Sequence, residues 1–175
     1  MALSDLVRLT KLNDEFADAH LLIAKLQVLP GGDRKSGIES ATKAFQQYED
    51  AEQKANALIA RAALRSDKAQ QISDLSEAIK LDENNSDALT ARATIYTQDN
   101  KFEKATEDLQ RLLEIDGDDV LAMSALAEAL ARQNEFDKAI EIQPNFILAY
   151  FNKGIILNLS LIHISEPTRL LSIGY

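Results

Sequence analysis

Apolar positions along this chain follow a helical rhythm. Between Asp87 and Gln98, Leu89, Ala93 and Tyr96 fall on one stripe at helical spacing, with polar residues between them. A second stripe, built from Phe102, Ala105, Leu109, Leu112 and Leu113, predicts a helix from about 102 to 115. Between the two stands Asp99-Asn100, whose short polar side chains bond their own backbone and tolerate unusual dihedrals. The second helix is expected to close at Asp116-Gly117, with the glycine in the left-handed conformation. Valine is scarce and no long apolar/polar alternation occurs, so a β-rich fold is not expected.

The pattern repeats. Lys80-Leu-Asp-Glu-Asn-Asn-Ser-Asp-Ala-Leu89 is echoed 34 positions later by Glu114-Ile-Asp-Gly-Asp-Asp-Val-Leu-Ala-Met123. Asn100-Lys-Phe-Glu-Lys-Ala105 is echoed at the same distance by Asn134-Glu-Phe-Asp-Lys-Ala139. A more distant pair matches residues 11–20 with residues 141–150. Such a period is read as a stack of supersecondary units, each too small to bury its apolar face alone. The units expected are 17–51, with an enlarged turn at Leu29-Pro-Gly-Gly-Asp33; 52–85, with Ser66-Asp67 as turn and Gln71 at a small-residue position; 86–119; 120–146; and the first helix of another at 147–159. Leu6, Leu9 and Leu12, within 1–16, resemble the second helix of a preceding unit.

These residues resemble the tetratricopeptide repeat (TPR) family, in which small side chains stand where two helices cross and bulky ones fill the groove between them. Ala93 and Ala105 hold the small positions of one unit, with Leu89, Tyr96 and Phe102 bulky. Ala127 and Ala139 hold those of the next, with Met123, Leu130 and Phe136 bulky. The physical need is plain, since helix axes approach to roughly 8 Å only where side chains are small. The resemblance implies an all-α fold of antiparallel helix–turn–helix pairs stacked into a right-handed superhelical solenoid. It also implies a concave groove lined by the first helix of each unit. The family's groove positions fall here on Gln53, Asn56, Ala60 and Ala63; on Asp87, Thr90, Thr94 and Thr97; and on Leu121, Ser124, Glu128 and Ala131, with Arg132 beside them. That face reads as small, neutral and polar. The carboxylate clamp of chaperone-binding TPRs is missing, because its positions carry Leu21, Lys25, Asp87 and Ala91. A chaperone C-terminal carboxylate is therefore not the expected ligand.

Two stretches depart from the period. The fourth unit passes from Phe136-Asp-Lys-Ala-Ile140 straight to Glu141-Ile-Gln-Pro-Asn145, about seven residues short, or roughly two helical turns. A natural short helix and a sequence lesion between two similar dipeptides both account for it. After Leu159 the repeat ends; residues 160–175 carry no turn signal or period, and Pro167 stops any helix. That tail resembles translated sequencing-adapter read-through and is expected to pack poorly. With neither end resembling a polar capping unit, the chain reads as a slice of a longer array.

Composition narrows the functions. The 28 acidic against 19 basic residues, formally −9, oppose binding to a phosphate backbone or an anionic membrane. The beginning of the chain lacks the layout of a secretory signal, and the longest apolar stretch, 154–164, is too short to span a bilayer. A soluble, cytoplasmic protein is expected on that ground, with allowance for a truncated N-terminus. There is no Cys, and of two histidines His163 lies in the aberrant tail, so zinc sites and nucleophile pairs lack raw material. His20 falls at a large-residue position of a first helix and is expected to be packed or half-exposed there. Asp118-Asp119, Asp82-Glu83 and Glu49-Asp50 sit at turns, where acids cap helix starts. Asp116-Gly-Asp-Asp119 lacks calcium-loop spacing, and Leu29-Pro-Gly-Gly-Asp-Arg34 lacks the lysine of a phosphate loop.

The expected function is a scaffold without catalysis or cofactor, holding a protein or peptide partner, extended or helical, in its groove. The alternative is a regulatory or substrate-recruiting segment of a larger enzyme whose catalytic domain lies elsewhere.

Overall fold

The computed structural model describes residues 2–165, with side chains described for 3–158. Among them are ten α-helices and no strand: α1 (Ala2–Leu12), α2 (Ala17–Gln27), α3 (Arg34–Gln47), α4 (Ala51–Leu64), α5 (Lys68–Leu81), α6 (Ser86–Gln98), α7 (Phe102–Ile115), α8 (Val120–Arg132), α9 (Phe136–Ile142) and α10 (Ile147–Ser165). Each helix packs on the next in sequence, and first helices two apart, α2 with α4 and α4 with α6, also touch. The result is an all-α helical-repeat solenoid, as the periodicity predicts.

Helix starts are written locally. Asp33, Asp50, Asp67, Asn85 and Asp119 precede α3, α4, α5, α6 and α8, and each side chain accepts a backbone N–H from the first turn. Such a cap contributes about 1 kcal/mol. Asp82, by contrast, closes α5 and caps nothing; its Oδ2 accepts from the Asn85 amide at 3.0 Å, steadying the residue that caps α6. The tight turns before α7 and α9 use backbone geometry instead. Asn100 and Asn134, one period apart, adopt φ of 55° and 63°. This lets the following N–H groups of Lys101 and Glu135 return to Tyr96 O at 2.8 Å and Leu130 O at 2.9 Å.

Helix α7 does not close through a left-handed Gly117; among the described glycines only Gly31 has positive φ, at 85°. Asp116 turns the chain in extended geometry, with φ −135° and ψ 96°. Its Oδ1 then accepts from Asp118 N at 3.1 Å, so a carboxylate does the work expected of glycine.

Alanines at the crossings are fully enclosed: Ala93 is 2% exposed, and Ala105, Ala127 and Ala139 are at 0%. With Leu58, Leu75, Leu89, Leu109, Leu112 and Leu126 they form one core running from α4 to α10. Crossing is close at Gly37 of α3, where an added Cβ would come within 2.8 Å of both Gln27 Cβ and Leu64 Cδ1. Gln71 fits a small-residue position because its amide donates to Arg65 O at 2.9 Å.

Helix α9 has seven residues where α3, α5 and α7 each have fourteen. Helix α10 continues past Leu159 to Ser165, since nothing before Pro167 interrupts the backbone. Residues 166–175 of the unmatched tail lie outside the described residues.

Candidate binding groove

Two hollows take in most of the groove positions on the first helices. The larger, of about 400 Å³, lies between α6 and α8 and is lined by Thr90, Thr94, Thr97 and Gln98 from α6 and by Leu121, Ala122 and Ala125 from α8. Its floor is Leu109 and Leu112 of α7, nearly buried at 4% each, and its one carboxylate is Asp119. That carboxylate is committed, since Oδ1 accepts from Leu121 N at 2.9 Å and Ala122 N at 3.0 Å. The smaller hollow, of about 250 Å³, is lined by Asn56, Ile59, Ala60 and Ala63 of α4 with Lys25, Val28 and Asp87.

The groove positions carried over from the family thus separate. Thr90, Thr94 and Thr97 share the larger hollow; Asn56 and Asp87 share the smaller. Ser124, Glu128 and Arg132 line neither, and Glu128 and Arg132 are exposed and paired with each other at 3.4 Å. The larger hollow is also more apolar than the first-helix positions suggest. Its floor leucines belong to a second helix, visible between two first helices only once they are packed.

Hydroxyl donors in this hollow are partly spent. Thr94 Oγ1 donates to Thr90 O at 2.8 Å and Thr97 Oγ1 to Ala93 O at 2.9 Å. What these threonines offer a ligand is a methyl group and an acceptor lone pair.

Behind the groove lies a repeated polar device, whose signal in the sequence is the spacing of its two acids. Asp74 and Asp108, 34 apart and 4% and 2% exposed, sit at equal positions of α5 and α7. Arg61 grips Asp74 through Nε and Nη2 at 3.0 and 2.8 Å, and Arg65 adds a contact at 2.6 Å. Arg92 grips Asp108 in the same two-pronged way. Arg61 and Arg92 also each reach a hydroxyl on the preceding second helix, Thr42 at 3.5 Å and Ser76 at 3.0 Å, the two hydroxyls again one period apart. Hydrogen bonding to Asp108 raises Arg92 above the usual guanidinium range. These are pins through three helices, carrying no visible chemistry of their own.

His20 is packed, 3% exposed, with Nε2 3.1 Å from Asp14 O. Among the described residues no three His, Asp or Glu side chains gather as metal ligands. No helix among them is long and apolar enough to cross a membrane.

Residues 96–142, which include α7 and α9 with the helix between them, match the family model of the tetratricopeptide repeat. The crystal structure of MamA aligns over 89% of this chain and 89% of its own, with TM-score 0.71 and 18% identity. YrrB, described as a TPR protein with an unusual peptide-binding site, aligns over 87% of this chain and 81% of its own, with TM-score 0.60 and 19% identity. TTC0263, a thermophilic TPR protein of Thermus thermophilus, aligns over 89% and 88%, with TM-score 0.53 and 20% identity. No curated protein matches the chain. At these identities the structural likeness speaks for fold, and the sequence match speaks for residues 96–142. Residues 96–142 thus match the tetratricopeptide repeat in sequence, and the chain as a whole shares the helical-repeat fold of these TPR proteins.

Proposed function

We propose that the chain is a protein-interaction scaffold whose ligand site centres on the hollow between α6 and α8, with no catalytic role. The units 17–51, 52–85, 86–119 and 120–146 serve as its repeats. One observation carries this reading: an open hollow with an apolar floor of Leu109 and Leu112, walled by Leu121 and rimmed by threonines, with its only carboxylate already used as a helix cap. Such a surface suits an uncharged apolar side chain presented by a peptide segment, because no charge need be desolvated. The lone pairs of Thr94 and Thr97 would accept from the ligand's backbone N–H groups. Asn56 and Asp87 in the second hollow, and Ser124, Glu128 and Arg132 beyond the first, extend the same line.

Panning a random peptide display library against the full chain tests this. Selected peptides should be rich in apolar residues, and Thr94→Arg should weaken them at least tenfold, about 1.4 kcal/mol. Lys104→Glu, on α7 and away from the hollow, should leave binding within twofold. Peptides that bind the Thr94→Arg protein as tightly as the parent would place the site elsewhere.

A further inference from the structure

The turns that close α5 and α7 are built alike. Asp82 and Asp116 both leave their helices in extended geometry, at φ −138°, ψ 96° and φ −135°, ψ 96°. In each, Oδ1 accepts from the N–H two residues on, Asn84 at 3.3 Å and Asp118 at 3.1 Å. Such a ring folds the carboxyl back toward the peptide nitrogen that lies between its two ends. That nitrogen belongs to Glu83 in the first turn and to Gly117 in the second. Asp82 is half-buried and its Oδ2 is held by the Asn85 amide at 3.0 Å, whereas Asp116 and Gly117 are both exposed.

A carboxyl folded onto a neighbouring amide nitrogen is set for ring closure. The Asp118 N–H, already on Oδ1, stabilises the charge that this oxygen gains as nitrogen adds to Cγ. Glycine leaves the approach open, because it has no Cβ to crowd the nitrogen.

We propose that Asp116-Gly117 is a self-modification site, converting through a cyclic imide to isoaspartate. Gly117 N forms a bond to Asp116 Cγ while the Cγ–Oδ2 bond breaks, and the amide proton leaves with the protonated Oδ2 as water. Water then opens the imide at the Asp116 main-chain carbonyl, so that the chain runs on through Cβ and Cγ and the α-carboxylate is freed. No co-reactant beyond water is needed. The product lengthens the turn between α7 and α8 and takes away the side-chain acceptor that closes it. Asp119, which caps α8 and lines the larger hollow, donates its N–H to Asp116 O at 3.3 Å, so the modification falls at the edge of the groove.

Storage of the full chain in warm neutral buffer tests this, and no groove ligand is involved. The readouts are peptide mapping that resolves isomers of equal mass, and methyl transfer by a protein-isoaspartyl methyltransferase. Gly117→Ala keeps the fold, because Gly117 φ is not positive and its Cβ would meet Leu113 O at an ordinary 3.6 Å. Isoaspartate should accumulate at 116 at least about tenfold faster than at 82, and by about the same factor faster than in Gly117→Ala. Glu83→Gly should make Asp82 a second site. Isoaspartate that is absent at 116, or forms there as fast in Gly117→Ala, overturns the proposal. An Asp82 that stays inert in Glu83→Gly overturns the part given to the shared turn.

Discussion

Arg92 and Asp108 meet in a two-pronged pair, Nε to Oδ2 at 2.9 Å and Nη2 to Oδ1 at 2.6 Å, with the aspartate side chain only 3% exposed. Removing one partner of such a pair strands the other in a poorly hydrated site. Asp108→Ala should therefore cost about 3–5 kcal/mol, and the joint replacement Arg92→Met with Asp108→Leu should cost far less. Urea unfolding of the single and double variants measures both. A double variant as unstable as the single would mean that the pair stabilises through more than avoiding a stranded charge.

Helix α9 lacks the stretch that α7 holds at residues 107–113, since Glu141-Ile142 resumes where Glu114-Ile115 stands. Inserting Glu-Ala-Leu-Gln-Arg-Leu-Leu between Ile140 and Glu141 would restore two turns and equivalents of Leu109 and Leu112. Alanine replaces the aspartate because α8 has Leu126 and Ala129 where α6 and α4 supply the gripping arginines. Stability should rise by more than about 0.5 kcal/mol, beyond the usual scatter of surface changes. The source is buried apolar area at roughly 25 cal/mol per Å². An unchanged or lowered urea midpoint would show that the short helix is the better-packed form.

Acid should loosen the fold through two surface carboxylates. Hydrogen bonds from Lys68 and Lys101 hold Asp99 below the ordinary 3.8, and one from Lys43 does the same for Asp14. The unfolded chain takes up these protons first as pH falls. The contribution is thus present above 3.8 and lost through the lower native values. Asp99→Asn combined with Asp14→Asn should flatten the pH dependence of the urea midpoint below about pH 4, and salt should do so partly. At the alkaline end, burial and then Asp18, 2.7 Å from the hydroxyl, raise Tyr48 above 10.0. That contribution is present below pH 10.0 and lost as pH rises past it; Tyr48→Phe should remove the loss while costing a hydrogen bond at neutral pH.

Sequence alone determined the helices, the 34-residue period and the alanine crossings. Each is a local or strictly periodic signal: an aspartate before an apolar stripe starts a helix, and Phe102–Ile115 is bounded where its pattern begins and ends. The turn residues Asn100 and Asn134 were legible for the same reason, while Gly117 misled because Asp116 performs the closure through a side chain. Only the tertiary structure decided what the groove offers. Leu109 and Leu112 reach it from behind, through the gap between α6 and α8, and no spacing along one helix encodes that gap. The same packing put Thr90, Thr94 and Thr97 over one hollow and Asn56 with Asp87 over another. It also buried Asp74 and Asp108, which read as ordinary surface acids until arginines from neighbouring helices close over them. Periodicity records which face of a helix is apolar; how far apart two such faces stand, and what shows between them, is set by every side chain packed in the layer beneath.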